Sequence, residues 1–122
     1  MYELTISTTF SAAHRVGEEA LHGHNFSVQA TVSGKKLDPS DMLIDFSLFE
    51  AMLFQVTGAL DHRLINALPA FEKFAPSAEN MARHIKKLLA ALANRPGLAV
   101  TRVLVRESED CASGYVEAVS KF

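Results

Sequence analysis

His22 and His24 flank a single glycine, and His14 lies upstream of them in the same apolar-polar register. Downstream of Gly23 the residues alternate: His22, His24, Phe26, Val28, Ala30 and Val32 on one parity, and Gly23, Asn25, Ser27, Gln29, Thr31 and Ser33 on the other. A period of two over this length predicts a half-buried strand. Residues i and i+2 of a strand share a face, so the two imidazoles stand side by side, about 6.5–7 Å apart at the backbone. Tyr2, Leu4, Ile6, Phe10, Ala12 and His14 also share a parity, which puts His14 at the end of a first strand. If the two strands pair as a hairpin across the short connection 15–21, His14 faces the His22/His24 pair. Neutral imidazole is a good zinc ligand. Three histidines with a fourth position open is the pattern of a catalytic zinc site rather than a structural one. Taken singly, each histidine reads as a surface or satisfied core residue; the convergence of three carries the metal reading.

Other groups invite chemistry less strongly. Glu107 extends an apolar row of a strand, and a buried carboxylate there must be paired. Its two oxygens suit either an arginine or two parallel N–H donors of a planar heterocycle such as an aminopyrimidinone. Asp61 and His62 are adjacent just after a helix, either as an acid–base pair or as a solvated loop.

The composition narrows the classes. A chain of 122 residues with 48% hydrophobic residues predicts one domain, 1–122, with a packed core. The net charge of −2 leaves no basic stripe for nucleic acid. No apolar run reaches a membrane span, and the N-terminus lacks a signal-peptide pattern. The lone cysteine, Cys111, excludes an intramolecular disulfide and suits a reducing compartment, so a cytoplasmic protein is expected.

The elements that must position these groups follow in order. Strand one covers about 2–14 and strand two about 22–34, ended by turn chemistry at 34–41. Residues 42–46 form a short apolar run with one buried-looking acid, Asp45. Ser47 and Glu50 make a capping box for a helix over about 47–60, with Leu48, Met52, Val56 and Ala59 or Leu60 inward. Residues 63–76 read as an irregular connection. Ser77 is the N-cap of a second helix, about 78–93, whose apolar stripe is Ala78, Met81, Ala82, Ile85, Leu88, Leu89 and Leu92. Lys86 and Lys87 read as its solvated face. Strand three runs about 99–107, with Ala99, Thr101, Val103, Val105 and Glu107 on one parity, and strand four about 114–121. The order ββ-α-α-ββ predicts an α+β fold, an antiparallel four-stranded sheet with two helices on one face. Open edges on so small a sheet favour pairing between subunits.

Together, Phe10-Ser11-Ala12-Ala13-His14-Arg15, Leu21-His22-Gly23-His24-Asn25-Phe26, Ile44-Asp45-Phe46, Leu60-Asp61-His62, Pro76-Ser77-Ala78-Glu79-Asn80 and Val105-Arg106-Glu107-Ser108 resemble the 6-pyruvoyl-tetrahydropterin synthase / 6-carboxytetrahydropterin synthase family. They come in the family's order and spread over almost the whole chain. The resemblance implies the tunnelling fold, or T-fold, with subunits joining sheets into a barrel, commonly a homohexamer of two trimers with active sites at interfaces. It implies zinc held by His14, His22 and His24, a pterin ring anchored by Glu107 and helped by Ser77, and an acid–base pair of Asp61 and His62. The implied substrate is 7,8-dihydroneopterin triphosphate, altered at its C6 side chain.

One position departs from the family's pattern. Most members carry a cysteine general base four residues before the first histidine of the His-Gly-His; here that residue is Glu18, with Glu19 beside it. Cys111 lies elsewhere, near the pterin-anchor segment. A type III subset has glutamate there and is associated with cleavage to 6-hydroxymethyl-dihydropterin for folate. Glu18 therefore leaves three outcomes open: the 6-pyruvoyl or 6-carboxy product, the latter leading to queuosine; the 6-hydroxymethyl product; and a zinc- and pterin-binding homologue with altered catalysis. A related T-fold enzyme of purine or pterin metabolism without zinc, its His cluster structural, is a further class.

Overall fold

The computed structural model describes residues 1–116. Strands β1 (Tyr2–His14) and β2 (His22–Gly34) pair antiparallel along their whole length, from Tyr2 opposite Gly34 to His14 opposite His22. Helices α1 (Phe46–Gly58) and α2 (Ala78–Leu92) follow, separated by single 3-10 turns at Ile65–Ala67 and Pro69–Phe71. Strands β3 (Leu98–Ser108) and β4 (Cys111–Val116) complete an antiparallel sheet of order β1-β2-β3-β4. The part of the expected fourth strand beyond residue 116 lies outside the described residues. Among the described residues no helix is long and apolar enough to cross a membrane.

The alternation read from β1 is the alternation observed, and β2 follows it as far as Ala30, beyond which Thr31 and Ser33 on the outer parity are buried as well. Ile6, Phe10, Ala12 and His14 are buried on one face, and the intervening residues are not. Phe10 and Phe26 stack at 5.1 Å between ring centroids, beneath the His cluster. Both helices add to one core, with Phe49, Leu53, Met81, Ile85 and Leu89 fully buried against Val28, Val103 and Val105. On the outer face the hydroxyls of Thr5 and Thr31 bond at 2.8 Å, and those of Ser33 and Thr101 at 2.9 Å.

Five expectations are corrected. The parity of β3 is not continuous, because Thr101 is an extra residue between Val100, opposite Val32, and Arg102, opposite Thr31. This bulge swaps the faces, so Leu98 and Val100 are buried before it and Val103 and Val105 after it. In α1 the buried set is Phe49, Leu53, Val56 and Thr57, and Leu48 is exposed. That helix is apolar on several sides, so periodicity alone did not select its inner face. The capping box does not form: the helix starts at Phe46, with exposed Asp45 at the N-cap and no side-chain cap bond. In α2, Lys86 is 6% exposed and Leu88 and Leu92 are partly exposed. The Lys86 ammonium lies over the Tyr115 ring of β4, at 5.7 Å, so β4 covers that flank of the helix and leaves the Leu88/Leu92 flank open. Finally, β4 starts at Cys111 rather than 114, after a tight turn at residues 109–110.

Candidate active site

The full-length register of the β1–β2 hairpin puts His14 directly opposite His22, and His24 opposite Ala12, on the core face at the open end of the sheet. The rings converge, with centroids 4.6 Å apart for His14–His22 and for His22–His24, and 5.8 Å for His14–His24. Phe26 packs edge-on against His14 and His24 and closes the floor.

Hydrogen bonds select the free nitrogen of two rings. His14 Nδ1 lies 2.7 Å from the Pro76 carbonyl, and His22 Nδ1 lies 2.9 Å from the Ala20 carbonyl. A carbonyl only accepts, so each Nδ1 carries the proton and each Nε2 presents a lone pair. The Nε2 of His14 is buried, has no hydrogen-bond partner, and belongs to a side chain 1% exposed. Such an orphaned buried acceptor costs about 1–3 kcal/mol. It is the arrangement expected of a metal ligand held by an outer hydrogen bond.

A carboxylate completes the cluster. Glu107 Oε1 is 3.5 Å from His14 Nε2, and Oε2 is 3.8 Å from His24 Nε2. Ligand atoms of His14, His22, His24 and Glu107 all lie within 4.8 Å of one another. The His14 lone pair facing a carboxylate is repelled unless a cation lies between them. Imidazole nitrogens with one carboxylate form a donor set suited to zinc and to other divalent ions. The residues present therefore fit a metal.

Glu107 reaches the cluster through a bulge. Arg106 pairs with Ala112 and Ser108 with Cys111, which leaves Glu107 as the extra residue. Bulges re-aim a side chain, and here the carboxylate turns toward the histidines.

Ser77 caps α2 by accepting from the Asn80 amide at 3.1 Å, and Asn80 Nδ2 donates to Ala75 at 2.9 Å. The capped segment thus holds the Pro76 carbonyl against His14. Ser77, His22, Glu107 and Cys111 line one cavity of about 230 Å³, together with Glu19. Glu18 is exposed and does not line it. The chain turns at Gly17, with φ of 63°, and Glu19 folds back so that Oε1 accepts from the Val16 amide at 2.9 Å and lies 3.9 Å from His22 Nε2. The signal in the sequence was the three-residue spacing of Glu19 and His22; the Pro76 carbonyl, being backbone, left none.

Asp61 and His62 do form a pair, Oδ2 to Nδ1 at 2.9 Å. Asp61 Oδ1 accepts from the Ser11 amide at 2.9 Å, and the His62 amide donates to the Ser11 carbonyl at 2.6 Å, docking the pair on the β1 edge. The Ser11 N–H first, and the His62 ring second, hold the Asp61 carboxyl below its ordinary value of 3.8. His62 adopts φ of 58°, uncommon for a non-glycine residue, and its ring is 81% exposed. His62 lines a second cavity, with Ser11, Gly23, His24 and Asn25, which shares no lining residue with the first. Within one chain, the dyad and the Glu19/Glu107 set belong to separate cavities, and the three histidines stand at the hairpin end common to both.

The family profile for 6-pyruvoyl tetrahydropterin synthase matches residues 3–118. A provisionally named 6-carboxy-5,6,7,8-tetrahydropterin synthase of Archaeoglobus fulgidus is 38% identical over 109 residues, spanning 86% of this chain and 87% of that protein. The 6-carboxy-5,6,7,8-tetrahydropterin synthase of Bacillus subtilis is 31% identical over 121 residues, spanning 88% of this chain and 80% of that protein. In fold, the chain superposes on the Caenorhabditis elegans 6-pyruvoyl tetrahydropterin synthase with a TM-score of 0.84, at 21% identity and 96% coverage of both chains. A Plasmodium vivax 6-pyruvoyltetrahydropterin synthase, solved as an alanine variant of a catalytic glutamate, superposes with a TM-score of 0.80 at 18% identity over 97% of this chain and 98% of that one. The four-stranded antiparallel sheet with its two helices is the T-fold, and the chain belongs to the 6-pyruvoyl tetrahydropterin synthase family.

Proposed function

We propose that the protein is a zinc-dependent lyase that remodels the C6 side chain of 7,8-dihydroneopterin triphosphate. The observation that carries this reading is the buried, unpartnered Nε2 of His14, aimed with His22 and His24 at one point beside the Glu107 cavity. Zinc held by His14, His22 and His24 supplies a Lewis acid for the side-chain oxygens.

The chain's own residues have distinct tasks. Glu107 binds the ring through two parallel N–H donors, a charge-assisted bidentate pair. Ser77, in the wall of the same cavity, helps hold it. A carboxylate of the Glu18-Glu19 pair takes a proton from the side chain in place of the missing thiol. The position in the sequence favours Glu18, and the geometry favours Glu19, which lies in the cavity beside His22. His62, oriented by Asp61, moves a proton on the opposite side.

The dyad and the ring anchor lie in different cavities, and the anchor cavity, at about 230 Å³, is below the 300 Å³ or so of a typical ligand pocket. A second copy that brings its exposed His62 to the first copy's Glu107 cavity completes the set. This supports a homo-oligomer with active sites at subunit interfaces, and the family resemblance adds that the oligomer is a hexamer of two trimers.

The 31–38% identical relatives favour a 6-carboxy product. The carboxylate in place of cysteine favours 6-hydroxymethyl-dihydropterin. Incubating zinc-loaded protein with 7,8-dihydroneopterin triphosphate and identifying the product by mass spectrometry decides between them. No product at all, with pterin still bound, leaves a binding protein and overturns the enzymatic reading.

A further inference from the structure

The Glu107 carboxylate does not lie free at the cavity wall. Among the described residues its ion-pair contacts are with two histidines, at 3.5 Å from His14 Nε2 and 3.8 Å from His24 Nε2. Donor atoms on a tetrahedral zinc, at bond lengths of about 2.0–2.1 Å, are about 3.3–3.4 Å apart. The two observed separations are within a few tenths of an ångström of that spacing. Three imidazoles leave one tetrahedral position to fill, and the bulge brings the Glu107 carboxylate beside them, Oε1 toward His14 and Oε2 toward His24, with one donor atom of each residue within 4.8 Å of the others. A glutamate at 33% exposure has side-chain freedom to move between the histidines and the cavity it lines.

We propose that Glu107 is the fourth metal ligand in the substrate-free protein, and that an incoming ring draws its carboxylate away, opening that position only when the ring is seated. The inference rests on the reading of Glu107 as ring anchor. One carboxylate cannot serve metal and ring fully at once, so the two compete for it. The coupling is reciprocal: bound metal weakens binding of the ring, and the ring weakens hold on the metal by the same factor. The consequence is a centre shielded from water and stray ligands until substrate arrives.

The test uses the full chain loaded with cobalt(II), whose visible spectrum reports ligand number and type, together with zinc competition against a chromophoric chelator. For Glu107→Gln, the expected result is a changed cobalt spectrum without any pterin and zinc affinity lower by at least about tenfold, because a neutral amide replaces a charged carboxylate ligand while the three histidines remain. For the unaltered protein, unsubstituted pterin, which has no C6 side chain, shifts the cobalt spectrum. A Glu107→Gln spectrum and zinc affinity equal to those of the unaltered protein overturn the proposal. So does an unaltered protein that binds pterin, seen by fluorescence, with no change at cobalt; this arm stands even if the variant fails to fold. Loss of pterin binding in Glu107→Gln with metal affinity intact removes the fourth ligand but keeps the ring anchor. Full retention of zinc by His22→Ala instead removes the metal centre itself.

Discussion

His14 Nδ1 bonds the Pro76 carbonyl at 2.7 Å, and this contact ties the hairpin that carries the three histidines to the first residues of α2. It fixes which nitrogen of His14 faces the cluster. Because Ser77 caps the helix from the next position, helix start and metal site move together. Replacing Ser77 by Ala removes the cap, at a cost of about 1 kcal/mol in chemical denaturation. The same change loosens the outer bond to His14, so zinc affinity falls by about tenfold. A stability loss with unchanged zinc affinity counts against the coupling.

His22 is less buried than His14, and its removal leaves the floor of Phe10 and Phe26 in place. His22→Ala therefore folds and loses zinc affinity by more than about 100-fold, because a direct ligand exceeds the 10–100-fold effect of an outer partner. Metal content after gel filtration, with turnover measured beside it, checks this. Turnover retained in metal-free protein excludes the zinc reading.

The two glutamates before His22 are separated by exchange one at a time. Glu19→Gln lowers kcat by about 10²–10⁴, the usual worth of a general base. Glu18→Gln, altering an exposed side chain outside the cavity, changes kcat little. The opposite outcome returns the role to Glu18 and the sequence position of the missing cysteine.

Asp61 is held below 3.8 by the Ser11 amide and the His62 ring. A carboxyl depressed in the folded state contributes stability above its ordinary pKa and loses it as pH falls through the folded value. Asp61→Asn is therefore less stable near neutrality but loses less as pH falls below the ordinary carboxyl value of 3.8, where the depressed Asp61 carboxylate protonates. It also frees the His62 ring, so kcat falls with KM little changed. Denaturation across pH and steady-state kinetics read the two effects separately.

The inner face of α2 is checked by a pair of truncations. Leu89 is fully buried and Leu88 is partly exposed. Leu89→Ala costs about 2–5 kcal/mol, while Leu88→Ala costs less than the lower end of that range. Equal losses contradict the observed rotation of the helix, in which Lys86 takes the flank under Tyr115.

Much of this protein was legible in its residues alone. The hairpin limits at 2–14 and 22–34, the convergence of three histidines and the Ser77 cap all follow from short-range rules: alternation along a strand, a fixed register across a hairpin, and a hydroxyl at a helix start. Each depends on neighbours in sequence or on one paired strand.

What only the tertiary structure decided depends on distant contacts. The bulge at Thr101 reverses the faces of β3, and the bulge at Glu107 turns its carboxylate to the histidines; both are set by register against β2 and β4. The inner faces of α1 and α2 were chosen by what covers them, since both helices carry more apolar residues than one stripe needs. Glu19 rather than Glu18 reaches the cavity because the Gly17 turn folds it back onto the Val16 amide. Period and spacing name the residues able to act; a backbone carbonyl such as that of Pro76, having no residue type of its own, is placed only by packing.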